Sequence, residues 1–500
     1  MFKKYHTIFS LIIIWAIGFI IYSNSFRGDF QFDDYTTIVS NPYIKNIYRS
    51  HELFTYSPLR FISNFTFTIN YYLGKNNVFG YHLVNFSIHA VNAALIFILI
   101  RLLIQTPFIV RENKLFLLVV ALICSLLFIS HPIQTQAVNY ISQRSILLAA
   151  MFYLLVLILL TKAHLDQIYT RKRSIFYLLA ILAFPIALLT KEIIFTLPVA
   201  ILMINIFFFT KKVRISYNNI AIFLPFALIS GLIVFLLHQS LFDTPIPRLH
   251  YFLTQIGVLK TYIRLLVLPF NLHLDYNYPI TTSFFNLHTI FSLLFLLLII
   301  SGGFFMFNKN RFISFGIFLF FLTLTIESSF IPLNDVIFEH RLYLPSVSFF
   351  MVIAGILQII TNKIHRNSTI SVKLLWSIIV IILVIYTRIT YQRNNIWNSD
   401  YTLWLDSALK SPYKARPHDG LGVAYLKQNK LKEAADQFQI AVFLDNDYFR
   451  AYNNLGVLYE YDGKLEVAEA FYRKSIEKAI HNSASTRNLE NLQDRLKILQ

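Results

Sequence analysis

The chain has 500 residues, of which 56% are hydrophobic and only 14% charged, and its mean hydropathy is +0.56. A soluble domain carries about 25% charged residues, so most of this polypeptide has a solvent other than water. The net charge of +18 is spread over short loops between apolar segments, which argues against a nucleic-acid patch. The single cysteine, Cys124, excludes an internal disulfide and a cysteine-based zinc cluster.

Taken in chain order, runs of roughly 20 apolar residues predict eleven spans. They fall near Thr7–Tyr22, Tyr81–Leu103, Leu115–Ser130, Ile146–Thr161, Ile175–Leu189 and Ile193–Phe209. The rest fall near Ile220–His238, Phe284–Phe307, Ile313–Ser328, Tyr343–Ile360 and Leu374–Thr390. Cations concentrate in alternate loops: Lys3 and Lys4, Arg111 and Lys114, then Lys162 with Arg171, Lys172 and Arg173. The series continues with Lys211, Lys212 and Arg214, Lys309 and Arg311, and Lys363 and Arg366. Those loops read as cytoplasmic, which puts the N-terminus inside and the C-terminal segment outside. Leu249–Leu272 is apolar but carries Lys260 and Arg264. Counting it as a span would invert the later loops, so it reads as an interfacial helix on the outer face. The first segment also resembles a signal peptide, yet Ser23-Asn24-Ser25 is a weak cleavage site, and the segment is read as a span.

The first outer loop, residues 23–79, holds Phe32-Asp33-Asp34-Tyr35, Asn41-Pro42-Tyr43 and Ser57-Pro58-Leu59-Arg60. Two adjacent carboxylates among aromatics make a candidate base, because apolar surroundings and a like charge raise proton affinity. A helix cap or turn built on Asp33 or Asp34 is the equal alternative. Further polar residues sit at outer span ends: His131, Arg144, Lys191-Glu192, Asp275 and Glu339-His340-Arg341. Each alone fits an interfacial anchor or local ion pair. Their shared side of the membrane favours a cavity for an anionic lipid headgroup, since arginine holds phosphate oxygens bidentately. Metal ligation by His131, His340 and the carboxylates has no supporting spacing, and a divalent metal stays open.

After Tyr391 the composition turns polar, and a 34-residue period appears: Gly422 with Gly456, Tyr425 with Tyr459, Ala434 with Ala468, Phe438 with Tyr472. That is the spacing of a tetratricopeptide repeat. It predicts repeats over 415–448 and 449–482, a partial repeat with Trp404 and Pro412 before them, and a capping helix over Ser485–Leu499.

The ordered series FDDYTTIVSNPYI, SPLRFISNFTFTINYYL, YHLVNFSIHAVNAAL, HPIQTQAVNYISQR, ALLTKEIIFTLPVAIL, YIRLLVLPFNLHLDY and EHRLYLPS, followed by repeats, resembles the transmembrane and tetratricopeptide-repeat-containing family. These are multispan glycosyltransferases of the GT-C superfamily related to protein O-mannosyltransferases. The resemblance implies an all-α membrane protein: a GT-C-type multispan domain over 1–392 and a tetratricopeptide-repeat α-solenoid over 393–500. It also implies a polyprenyl-phosphate sugar donor and transfer, with inversion, to a hydroxyl of a protein or envelope glycan on the outer face. By resemblance Asp33 is the base and Asp34 orients the acceptor or supports Asp33, while Arg60, Lys191 and Arg341 are candidates for the donor phosphate. His131, Arg144, Glu192 and His340 are acceptor or supporting groups. Where the family commonly has histidine and glutamate, Gln134 and Gln136 stand, and Ser57 replaces an arginine before the proline. Contacts at those positions are not carried over.

A non-catalytic membrane scaffold that recruits envelope proteins through its repeats is the alternative. A transporter is disfavoured because no two halves share broken helices. The repeats would present the acceptor. The short repeat array and the lysine- and isoleucine-rich composition favour a bacterial inner membrane over an endoplasmic reticulum.

Overall fold

The computed structural model describes residues 2–109, 114–166, 170–210, 223–230, 232, 246–365, 369–478, 486–491 and 493. Arg111, Lys211, Lys212, Arg214, Arg366, most of the span read at Ile220–His238 and much of the helix read at Ser485–Leu499 lie outside them. Among the described residues every regular element is a helix. The chain divides into two compact units, one of Met1–Leu272 with Pro279–Asn395, the other of His273–Tyr278 with Ile396–Gln500.

In the first unit, six helical stretches are long and apolar enough to cross a membrane: Val78–Leu103, Ile141–Leu165, Glu192–Phe209, Leu287–Met306, Glu339–Ile360 and Lys373–Asn398, the last running on past the unit's end. His6–Tyr22, Leu118–Ser130 and Arg311–Leu324 are shorter apolar helices. The stretch Glu192–Phe209 is composite rather than one uniform helix. A tight turn over Glu192–Thr196 feeds an α-helix over Leu197–Ile204, and a wide turn over Asn205–Phe209 follows. Pro198 falls in the first turn of that α-helix, where its missing N–H costs nothing. The stretch read as interfacial over 249–272 is helical over Arg248–Val267 only. Pro269 follows, and Leu268 before it is extended at φ −131° and ψ 89°, as a residue preceding proline prefers.

Polar side chains join the helices inside the apolar core. Tyr343 Oη lies 2.7 Å from His89 Nδ1 and accepts from Asn92 Nδ2 at 3.0 Å. Asn92 Nδ2 also donates to the Leu147 carbonyl at 2.9 Å. Three helices thus share one buried network, where an unpaired polar group would be costly.

The second unit contains helices over Asp400–Lys410, Ala415–Lys427, Leu431–Leu444, Phe449–Tyr461 and Leu465–Lys478. The 34-residue period has a packing cause. A Cβ on Gly422 would sit 2.5 Å from the Phe438 ring, and one on Gly456 would sit 2.5 Å from the Tyr472 ring. Each glycine lets an aromatic from the next helix approach where a side chain would otherwise stand.

Six residues from far upstream complete this unit. Asp275, nearly fully buried, takes a bidentate pair of bonds from Arg416 (Nε to Oδ2 2.6 Å, Nη2 to Oδ1 2.5 Å) and one from Lys414 Nζ at 2.5 Å. Lys414 Nζ also reaches the Tyr276 carbonyl at 3.0 Å, and Ser411 Oγ receives the Asn277 amide at 3.1 Å. Burial alone would raise the Asp275 pKa, but Arg416 and Lys414 outweigh it and hold the carboxyl below its usual range. The stability from this pairing is present at neutral pH and lost as pH falls through that lowered pKa. Replacing Asp275 with Asn leaves two partly buried cations uncompensated. The expected loss lies between the ~1 kcal/mol of exposed pairs and the ~3–5 kcal/mol of buried ones. Denaturant unfolding of the full-length protein, followed by proteolysis between residues 400 and 478, checks it.

Candidate active site

The loop after the first helix reaches its acidic pair through a strained residue. Phe32 has φ 48°, a left-handed conformation that non-glycine residues rarely adopt. That turn aims the two neighbouring carboxylates differently. Asp34 is fully buried and saturated by backbone amides. Oδ2 accepts from Gln31 N at 3.0 Å and Ile141 N at 3.3 Å, and Oδ1 accepts from Ser142 N at 2.6 Å. Its carboxylate clips the loop onto the turn that precedes the Arg144–Leu165 helix. Asp33 is exposed, and its own amide donates to Tyr140 Oη at 3.1 Å. Of the two roles weighed for the pair, Asp34 fills the turn-building one and Asp33 keeps a carboxylate open to solvent.

Burial raises the Asp34 carboxyl to about 7, with the amides of Gln31, Ser142 and Ile141 pulling partly the other way. Burial first, and then the charges of Asp33 and Asp34, hold the Tyr140 hydroxyl well above its ordinary value. Tyr140 therefore stays a neutral donor at any physiological pH.

Tyr140 also faces the second half of the site. Its ring centroid lies 6.0 Å from Phe32 and 6.5 Å from His340. The His340 amide and Nδ1 both donate to Gln136 Oε1, at 2.6 and 3.1 Å. Gln136 here orients His340. Around His340 and Glu327 gather Arg60, Lys191 and Arg341, all within electrostatic reach of both. Lys191 Nζ pairs with Glu327 Oε1 at 2.7 Å, both side chains buried. Arg341 Nη2 donates to the Asp335 carbonyl at 2.7 Å. Arg60 lies 3.9 Å from Glu192 with both partly exposed, a contact worth little by itself.

Two residues expected to support the acceptor are committed elsewhere. Arg144 is fully buried and donates to Asn85 Oδ1 at 2.7 Å, Asn70 Oδ1 at 2.6 Å, Thr66 Oγ1 at 3.2 Å and the Tyr81 carbonyl at 3.0 Å. It also stacks on Phe67 at 4.4 Å, so it fastens the Phe61–Gly74 helix to its neighbours. His131 accepts from the Ile133 amide through Nδ1 at 3.2 Å and lies 3.0 Å from the Leu266 carbonyl through Nε2. One neutral tautomer satisfies both bonds.

Sequence reasoning missed Glu327, Tyr140 and the orienting role of Gln136. Glu327 had a signal: it is the only acidic residue between Asp275 and Asp335, at the end of an apolar helix. Among the described residues no three His, Cys, Asp or Glu side chains gather as a metal site would require.

The Asp34 geometry has a pH signature. The folded state binds a proton that the unfolded chain releases near pH 4, so this group's contribution is full below about pH 4 and lost as pH rises through about 7. Asp34→Asn cannot titrate and turns an amide N–H toward a backbone donor, at a cost of about 1–3 kcal/mol. The stability gap between wild type and Asp34→Asn should therefore narrow from about pH 5 to about pH 8. Denaturant midpoints across that range measure it, and a constant gap would contradict the assignment.

No family model matches the chain, and no solved structure matches it. Curated relatives do. Protein O-mannosyl-transferase F38B6.6 of Caenorhabditis elegans is 27% identical, over 88% of this chain and 63% of the relative. Protein O-mannosyl-transferase TMTC3 of Mus musculus is 24% identical, over 90% of this chain and 53% of the relative. A tetratricopeptide repeat domain-containing protein of Arabidopsis thaliana, PYG7, is 32% identical over 84 residues, 17% of this chain and 28% of that protein. The chain spans between half and two thirds of the length of the mannosyl-transferase relatives it matches. The resemblance read from its motifs stands: over about nine tenths of its length this chain is similar to protein O-mannosyl-transferases of the TMTC family.

Proposed function

We propose that the chain is a membrane glycosyltransferase that moves a monosaccharide from a polyprenyl-phosphate donor to a hydroxyl, most simply a serine or threonine of a protein. The observation that carries this reading is a juxtaposition. The solvent-exposed carboxylate of Asp33 stands beside Tyr140, and Tyr140 faces the His340 region on which Arg60, Lys191 and Arg341 converge. A base and a phosphate-sized concentration of positive charge are what inverting transfer from a phosphate leaving group needs.

In this mechanism Asp33 takes the proton of the acceptor hydroxyl while its oxygen attacks the anomeric carbon. The bond from that carbon to the phosphate oxygen breaks with its electron pair, and polyprenyl phosphate leaves. Arg60, Lys191 and Arg341 offset the charge that grows on it. Tyr140, held neutral, fixes the Asp33 backbone through its hydroxyl. His131 and Arg144 hold the surrounding elements, and Glu192 stands near Arg60 as a supporting carboxylate.

The reading places residues 1–392 in a GT-C-type membrane domain of about eleven spans. The site and a tetratricopeptide-repeat solenoid over 393–500 then lie on the outer face. The relatives named above are from animals and a plant. Composition alone supports a bacterial inner membrane, with the repeats periplasmic and able to present the acceptor.

The test is Asp33→Asn, which keeps size and removes the base. Purified in lipid with a polyprenyl-phosphate mannose and a serine/threonine-rich acceptor peptide, the variant should lose about 10²- to 10⁴-fold in rate while still binding donor. Wild-type rates from the variant would remove Asp33 as the base. A wild-type protein that never transfers sugar, yet loses its partners when the Tyr425 and Tyr459 faces are disrupted, would favour the scaffold.

A further inference from the structure

We infer that Glu327 reads the sugar: its second carboxylate oxygen accepts a hydroxyl of the donor's monosaccharide while the cations around it hold the phosphate. This rests on the reading of the cluster as the donor-phosphate site.

The two oxygens of Glu327 differ. Oε1 is taken by Lys191 Nζ at 2.7 Å, whereas Oε2 is buried and no described residue gives it a hydrogen bond. The Lys191 pair holds the carboxylate, and the backbone beneath it is fixed by the Tyr251 hydroxyl, which donates to the Glu327 carbonyl at 2.6 Å. Arg341 shows the complementary pattern. Nη2 is bound to the Asp335 carbonyl, and Nη1 is buried with no acceptor among the described residues. Both residues are more than nine tenths buried. The cluster therefore offers one open donor and one open acceptor in the same charged neighbourhood.

A buried polar atom without a partner is costly, so this pair of openings selects for what fills both. A fully ionised phosphate fills only the donor side, and its charge repels the Glu327 carboxylate. A sugar linked to phosphate supplies an anionic oxygen for Arg341 and an O–H for Glu327. Lys191 alone would make the site a plain anion trap. With Glu327 against it, the site prefers an anion that carries a hydroxyl-bearing group, and it disfavours the spent carrier that lacks one. Sites built to bond a hydroxyl discriminate strongly against ligands without it.

The experiment measures binding of two lipids to the full-length protein in nanodiscs: polyprenyl phosphate and the same lipid bearing mannose. Wild type should prefer the sugar-bearing lipid. In Glu327→Gln the affinity for that lipid should fall about 10- to 100-fold, the equivalent of one hydrogen bond to a charged group. Affinity for polyprenyl phosphate alone should stay within about threefold or rise, because a negative charge has been removed. Glu327→Asp keeps the charge opposite Lys191 and shortens the reach by one methylene. It should fold as wild type and lose the sugar preference, which guards against a general collapse of the Gln variant. Equal changes for both lipids, or a preserved preference in both variants, overturn the role given to Glu327. If wild type binds neither lipid, the donor-site reading itself falls, an outcome distinct from the first.

Discussion

A carboxylate shut away from water must draw its hydrogen bonds from whatever the fold places around it, and at Asp34 the fold places backbone amides from two distant stretches. Gln31 belongs to the carboxylate's own loop, while Ile141 and Ser142 lie more than a hundred residues further on. Because backbone donors have little freedom, the bond fixes the loop's approach rather than merely its proximity. The strained Phe32, the exposed Asp33 and the contact to Tyr140 follow from that approach. Tyr140 in turn sets the spacing to His340 and hence to the cations. The acidic pair divides into one buried residue that builds the turn and one residue left exposed.

Positive charge at the apolar boundary meets three different fates. Arg144 is neutralised by dispersal, its guanidinium shared among amide, hydroxyl and carbonyl oxygens and an aromatic face, with no carboxylate among those acceptors. Lys191 is neutralised by one carboxylate, Glu327. Arg341 is only partly satisfied. Dispersal suits a structural anchor, since nothing needs to exchange. A single counter-ion leaves the balance of a buried charge resting on one contact, so loss of Glu327 would leave Lys191 uncompensated.

Much of the helical plan was legible because it depends on local period. Apolar runs mark helices, and the Gly422/Gly456 spacing follows from an aromatic packed on each glycine. The ends of Arg248–Val267 could also be reasoned, since Pro269 ends what the composition continues. The broken geometry of Glu192–Phe209 was not legible, because the stretch as a whole is apolar while its hydrogen bonding changes twice. Within the site, residue types could be proposed but not their division of labour. Asp33 and Asp34 are identical in type, and what separates them is a partner 108 positions away. Lys191 and Glu327 are likewise joined by tertiary packing and by no motif.

The six residues His273–Tyr278 belong to the second unit, although the chain on either side of them belongs to the first. The repeat unit is therefore not a cassette that begins where the composition changes. Cutting the gene after residue 395 would leave Asp275 without Lys414 and Arg416, and would leave the excised helices without the carboxylate that pairs those cations. A recombination event that exchanged the C-terminal segment for one from another repeat protein would meet the same mismatch. The two stretches have to be inherited together, and variation at Asp275 should track variation at Lys414 and Arg416 as though the three were neighbours in the sequence.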